Sequence, residues 1–244
     1  MNEMRSLIRA EARLLLREPI YVLATVALPT VILVIFGSVF GPSKPDPAFG
    51  GLRFIDVFVP SLVVISFATL GIQTLPIRLA TYREKGVLRR LSTTPAHPLR
   101  LLVAQLAIYL VTALVALALL IVVAHVAFGV PLPGQPLGYL AAFLLGMSSL
   151  FAIGLLLAAV APSSRVATAI AIPMFFVVMF LGGVYLPRVF LPEALQRIGD
   201  FTPPGVQGLQ DAWMGTVPQV WPLVGMALVT IALGALAVRL FRWE

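Results

Sequence analysis

The sequence predicts an all-α integral membrane protein: six transmembrane helices, an N-terminal interfacial helix, a helical cytoplasmic loop and short outer helices between spans five and six. Three observations carry this prediction. Of the 244 residues, 60% are hydrophobic and only 11% are charged, with a mean hydropathy of +1.02. An ordinary soluble domain is about 25% charged, and one water-soluble core cannot hide this much apolar surface. Six apolar windows, about 20–40, 54–77, 101–128, 137–160, 166–187 and 220–239, reach the roughly 20 residues that a bilayer core of about 30 Å requires. Finally, the basic residues divide unevenly between the two sets of loops. β-Barrel strands would show about 10 residues of alternating polarity, and no such pattern occurs.

With the N-terminus inside, 13 of the 17 Lys and Arg residues fall on the inner side. They are Arg5, Arg9, Arg13 and Arg17, then Arg78, Arg83, Lys85, Arg89, Arg90 and Arg100, then Arg165, Arg239 and Arg242. The outer segments hold the other 4, Lys44, Arg53, Arg188 and Arg197. Cytoplasmic loops are enriched in Lys and Arg, so the expected location is the cytoplasmic membrane with both termini and the 78–100 loop inside. Because the cations sit at span ends, the net charge of +7 reads as topology and not as a nucleic-acid surface. Tyr21 and Trp243 fall at the inner boundary and Tyr139, Tyr185 and Trp221 at the outer one, the depth that amphipathic rings prefer.

Residues 1–19 form the first element, an amphipathic helix. Arg5, Arg9, Arg13 and Arg17 recur every four positions in a basic stripe, while Met4, Leu7, Ile8, Leu14 and Leu15 gather elsewhere. Such a helix lies in the inner interface or contacts a cytoplasmic partner. Pro19 permits a turn into the first span. That span reads as retained and not as a secretory signal, since no small-residue cleavage site follows it. The third window is long for one crossing, so part of it should project or tilt. On the fourth, Ala142, Gly146, Gly154 and Ala158 are spaced in fours and eights, a face that lets helices approach closely. Pro29 and Pro173 lie inside spans and should kink them, either as plain packing features or as hinges. In the outer loop, Pro192 opens a short helix with Leu191, Leu195 and Ile198 on one face. Thr202-Pro203-Pro204-Gly205 breaks it, and a second helix follows with Val206, Leu209, Trp213 and Met214. No repeat or linker divides the chain, so residues 1–244 are expected to be one membrane domain.

Chemistry is scarce. There is no G-x-x-x-x-G-K-[ST] phosphate loop, no H-E-x-x-H and no G-x-S-x-G. The absence of cysteine excludes disulfides and thiolate chemistry. His97 and His125 are far apart, with no carboxylate near enough in sequence to complete a metal site. No catalytic, metal or cofactor site is expected in this chain. The middles of all six spans lack Asp, Glu, Lys and Arg, which self-powered carriers usually place there.

Three segments resemble the membrane subunit of type-2 ABC exporters, the class of drug-resistance and polysaccharide-export permeases. Arg17-Glu18-Pro19 resembles the motif that leads into the family's first span. Tyr82-Arg83-Glu84-Lys85-Gly86-Val87-Leu88-Arg89-Arg90-Leu91, with Thr94-Pro95 and Pro98-Leu99-Arg100, resembles its R-E-x-G-x-L-R-R-L…T-P…P-x-x signature. Gly182-Gly183-Val184-Tyr185-Leu186-Pro187, with Leu191-Pro192 and Pro203-Pro204, is similar to its fifth span and outer helices. Pro203-Pro204-Gly205-Val206 departs from an N-P-[LF]-like turn that many relatives carry.

The resemblance implies that 82–91 is a coupling helix resting on a separate ATP-binding subunit, through Tyr82, Arg83, Glu84, Lys85, Gly86, Leu88, Arg89 and Leu91. It implies two copies of that subunit, which would bind ATP and Mg, and a homodimer of this chain. On a helical wheel Val87, Leu88 and Leu91 share a face, and Glu84 falls among them, where a carboxylate requires a partner cation or backbone N–H. The first and fifth spans are expected at the dimer seam, with Gly37, Gly182 and Gly183 permitting close approach. The function expected is export of an amphipathic drug, lipid or lipid-linked glycan, driven by ATP hydrolysed elsewhere. The alternatives are an ATPase-independent secondary transporter or channel, and a non-transporting membrane adaptor.

Overall fold

The computed structural model describes residues 2–17, 19–41, 44–49, 51–92, 98–185, 192–194, 196, 199, 202, 203 and 205–240. Among these the chain is almost wholly helical and forms no strand; one isolated bridge joins Asp46 and Leu52. Six helices are long and apolar enough to cross a bilayer: Leu23–Phe40, Phe54–Glu84, Arg100–Phe128, Pro136–Val160, Ser164–Leu181 and Val220–Leu240. They lie close to the six windows read from hydropathy. The fifth stops earlier than expected because Gly182 caps it and Gly183, at φ +73°, turns the backbone into the left-handed region. The N-terminal helix, Asn2–Leu16, precedes them and packs against the third span.

The second span is the centre of the bundle, with 83% of its apolar window buried, against 22% for the first and fifth and 11% for the sixth. The first packs on the second and third, the fifth on the second and fourth, and the sixth along the fourth. The second and fourth approach most closely at Gly71 and Gly154. A Cβ on Gly154 would run into the Gly71 carbonyl oxygen, and one on Gly71 would meet the Phe151 ring. The small face of the fourth span therefore serves packing: Ala142, Gly146, Gly154 and Ala158 are all buried.

Two stretches widen into π-turns, Leu23–Ala27 and Thr69–Thr74, and they touch one another. Each lies just ahead of a proline, Pro29 or Pro76. Proline has no N–H and crowds the carbonyl four residues back; a wider turn before it relieves that conflict. The hydroxyl of Thr74 donates to the Thr69 carbonyl at 3.1 Å, satisfying an oxygen inside the second π-turn. The helix through Pro173, by contrast, stays α-helical from Ser164 to Leu181.

At the end of the bundle distal to the 78–100 loop, Arg53 and Asp56 cap the second span. The guanidinium donates to both Asp56 oxygens, at 3.0 and 2.7 Å, and these hydrogen bonds raise its pKa above the ordinary value. It also reaches the carbonyls of Gly41, Phe128 and Gly129, at 3.4, 3.1 and 3.2 Å, and so fastens the ends of the first and third spans. The helix Val206–Trp213 begins after Gly205, at φ +67°, and buries Val206, Leu209, Ala212 and Trp213. Met214, expected on that apolar face, is exposed. The preceding outer helix expected from Leu191, Leu195 and Ile198 falls on residues outside the described set. Trp221 and Tyr185 are exposed, as rings at a membrane boundary should be, but Tyr139 is buried edge-on against Trp213 at 5.4 Å and belongs to the core. Tyr21 and Trp243 lie outside the described side chains.

Candidate functional site

The 82–91 segment is two helices and not the continuous one expected. Leu75–Glu84 completes the second span, Lys85 ends it, Gly86 stands at φ +65°, and Val87–Ser92 restarts. Positive φ cannot continue a right-handed helix, and glycine is the residue that adopts it without a Cβ clash. The helical wheel that placed Glu84 beside Val87, Leu88 and Leu91 does not carry across this break.

Three consecutive side chains at the end of the second span hold three different elements. The Tyr82 hydroxyl donates to Glu11 Oε1 at 2.9 Å, reaching the N-terminal helix. The Arg83 guanidinium donates to the Ala158 carbonyl in the last turn of the fourth span. The Glu84 carboxylate accepts from Ser164 N at 3.0 Å and from Ser164 Oγ at 2.7 Å, at the first turn of the fifth span. The charges suit their places. A helix C-terminus carries partial negative charge and its N-terminus partial positive charge. Arg83 therefore meets the fourth span and Glu84 the fifth, each in its favourable polarity. Ser163 completes the fifth span's start, its hydroxyl accepting from Val166 N at 3.2 Å.

Glu11 is 6% exposed and also accepts from Gln105 Nε2 at 3.4 Å, on the third span. A buried carboxylate without partners is costly; here two donors from two spans surround it. The N-terminal helix is thereby fastened to the bundle by a polar contact as well as by Leu15, which is buried.

The residues singled out from sequence thus separate. Tyr82, Arg83 and Glu84 are brought together, but facing their own chain. Leu88 is 1% exposed and packed inside it. Lys85 and Arg90 are exposed, and Gly86 half-buried between them. Arg89 and Leu91 fall on side chains outside the described set. Gly37 is not an open face: a Cβ there would strike the Phe128 ring at 2.6 Å, so this glycine admits the third span of the same chain. Gly182 and Gly183 are buried and serve to end the fifth span, donating to the Val178 and Phe180 carbonyls at 2.9 and 3.1 Å.

Glu11 and Ser164 are the participants that the motifs did not name. Glu11 had a legible signal, since it shares the face of Leu7, Ile8, Leu14 and Leu15 at helical spacing. Ser164 had none, because its role depends on the fold bringing it to a residue 80 positions earlier.

The sequence matches the ABC-2 type transporter family over residues 2–204, from the N-terminal helix through the fifth span into the outer loop. No curated protein matches the chain. The family match covers most of the chain and agrees with a six-span helical bundle whose basic end carries this three-way hold. The chain belongs to the ABC-2 type transporter family, as a membrane-spanning permease component.

Proposed function

We propose that the chain is the permease half of an ATP-driven exporter for an amphipathic drug, lipid or lipid-linked glycan. It pairs with a second copy of itself and with two separate ATP-binding subunits in the cytoplasmic membrane. Both termini and the 78–100 loop face the cytoplasm; the basic asymmetry of 13 to 4 supports this orientation. The ATPase meets the turn at its exposed positions, Lys85 and Arg90, with the half-buried Gly86 between them, while Leu88 anchors the turn to the bundle.

The observation that carries this reading is the hold of Tyr82, Arg83 and Glu84 on three elements. A push on the turn reaches the N-terminal helix, the fourth span and the fifth span together, through bonds of 2.9 Å at Glu11 and 2.7 Å at Ser164. Glu84 thus transmits motion within the chain and is not itself the docking contact. Export by this route needs no ionisable group in mid-membrane.

The test is transport per ATP hydrolysed in proteoliposomes containing the full complex. Glu84→Gln removes the anion while keeping the shape. It should lower transport per ATP yet leave co-purification of the ATPase intact. Lys85→Glu with Arg90→Glu should weaken that co-purification. If Glu84→Gln instead strips the ATPase from the membrane and the double variant does not, the contact surface has been assigned to the wrong residues.

A further inference from the structure

The basic end of the second span borders a cavity of about 210 Å³, lined by Leu14, Thr74, Ile77, Arg78, Thr81, Tyr82 and Lys85. A single water requires only about 10–15 Å³ of such space, so it is large enough for a polar group. Arg78, 7% exposed, forms a buried cationic wall, and Lys85, which is exposed, stands at the mouth. The hydroxyls around them have committed their hydrogens: Thr74 to Thr69, Thr81 to Ile77 and Tyr82 to Glu11, at 3.1, 2.8 and 2.9 Å. An occupant therefore meets its strongest donors in the two cations. Leu14 and Ile77 add an apolar wall, and Leu14 comes from the N-terminal amphipathic helix. Neither Glu11 nor Glu84 lines the cavity; Glu11 accepts from Tyr82 and Gln105, and Glu84 from Ser164. Arg78 need not be free of other contacts, since a guanidinium offers five N–H donors in a fixed fork.

We infer that this cavity binds the anionic phosphate headgroup of an amphiphile resident in the adjoining leaflet, with the phosphate between Arg78 and Lys85 and the first carbons of the tail against Leu14 and Ile77. Basic pockets between transmembrane helices are suited to such headgroups, and Arg to phosphate in particular. The inference concerns binding and does not rest on the ATP-driven cycle proposed above.

The purified full chain in phosphatidylcholine nanodiscs tests it, with dihexanoyl phosphatidic acid as probe and the thermal unfolding midpoint as readout, since a ligand of the folded state raises it. Lys85→Gln should weaken binding about fivefold, the effect of an exposed ion pair. Arg78→Lys, which keeps the charge and loses the fork, should weaken it by about tenfold. Arg239→Gln, an exposed cation outside the cavity, should leave binding unchanged. Inorganic phosphate should bind at least about tenfold more weakly than the lipid, lacking the methylenes that Leu14 and Ile77 cover. Equal binding of inorganic phosphate would transfer the site to a free anion and overturn the amphiphile. Equal binding of dihexanoyl phosphatidylcholine, or equal losses in Lys85→Gln and Arg239→Gln, would overturn the anionic site itself. Should Arg78→Lys fail to fold, the Lys85 and Arg239 pair decides alone.

Discussion

Glu11 is the residue whose deletion partner is cleanest. Tyr82→Phe removes one hydroxyl and changes no shape, so Glu11 loses its 2.9 Å donor and keeps the weaker 3.4 Å contact from Gln105. A buried group left short of a donor costs about 1–3 kcal/mol. Tyr82→Phe should therefore lower the stability of the purified chain by about that amount in denaturant-titrated unfolding. Glu11→Gln combined with it should be much less than additive, because the two side chains share one bond. Full additivity would mean that the hydroxyl and the carboxylate act separately. At this scale the sequence was partly legible. A partner for Glu84 was expected across a subunit boundary, from a wheel that fails at Gly86; the carboxylate has instead found an N–H of its own chain, that of Ser164. Which N–H could not follow, since that contact spans 80 positions. The glycines misled for a related reason. Gly37 signals close approach, but composition does not say to what, and the answer is Phe128 of the same chain.

The existence and number of the spans were legible, because bilayer thickness sets their length and only a helix satisfies its own backbone there; the inner end of the second and the outer end of the fifth were not, since the second runs on to Glu84 and the fifth stops at Leu181. The π-turns at Leu23–Ala27 and Thr69–Thr74 were not. Proline marks where a helix is interrupted, yet Pro29 and Pro76 follow widened turns while Pro173 lies in regular helix; the choice depends on neighbours that accept the extra residue. The break at Gly86 was hidden likewise, since a glycine inside a helical pattern is read as tolerated until its φ is known. The packing of the second span on the fourth is testable through paired glycines. Gly154→Ala would drive a methyl group into the Gly71 backbone, and overpacking of this kind costs about 1–3 kcal/mol. Gly234→Ala, with nothing within 4 Å of its new methyl, should be neutral or slightly stabilising. Unfolding in the same detergent compares them. Equal tolerance of both would show that the two spans can separate at no cost.

The whole molecule leaves its first, fifth and sixth spans largely uncovered, with Val34, Ile35 and Val39 exposed on the first and Phe176, Val177 and Phe180 on the fifth. Lipid or a second copy must cover them. Since Gly37 is internal, a seam between copies would run along these side chains. Because the chain has no cysteine, single introductions report cleanly. Cysteines at Ile35 and Phe176 should cross-link copies, whereas one at Gly37, packed on Phe128, should not. In intact cells a cysteine at Ser92 should resist an impermeant reagent, and one at Gln196 should react. Cross-links from the fourth span alone would move the seam, and labelling at 92 would invert the topology.

The hold of Tyr82, Arg83 and Glu84 also limits how the second span can move. Successive residues of an α-helix point about 100° apart, so three in a row spread over about 200° of the circumference. A roll of the helix in either direction would stretch at least one of the three bonds as it slackened another. Only displacements that carry the N-terminal helix and the ends of the fourth and fifth spans along with it keep all three intact. The chain is thus geared against torsion and open to tilt: a stroke delivered at the turn would be passed on as by a lever and not as by a crankshaft.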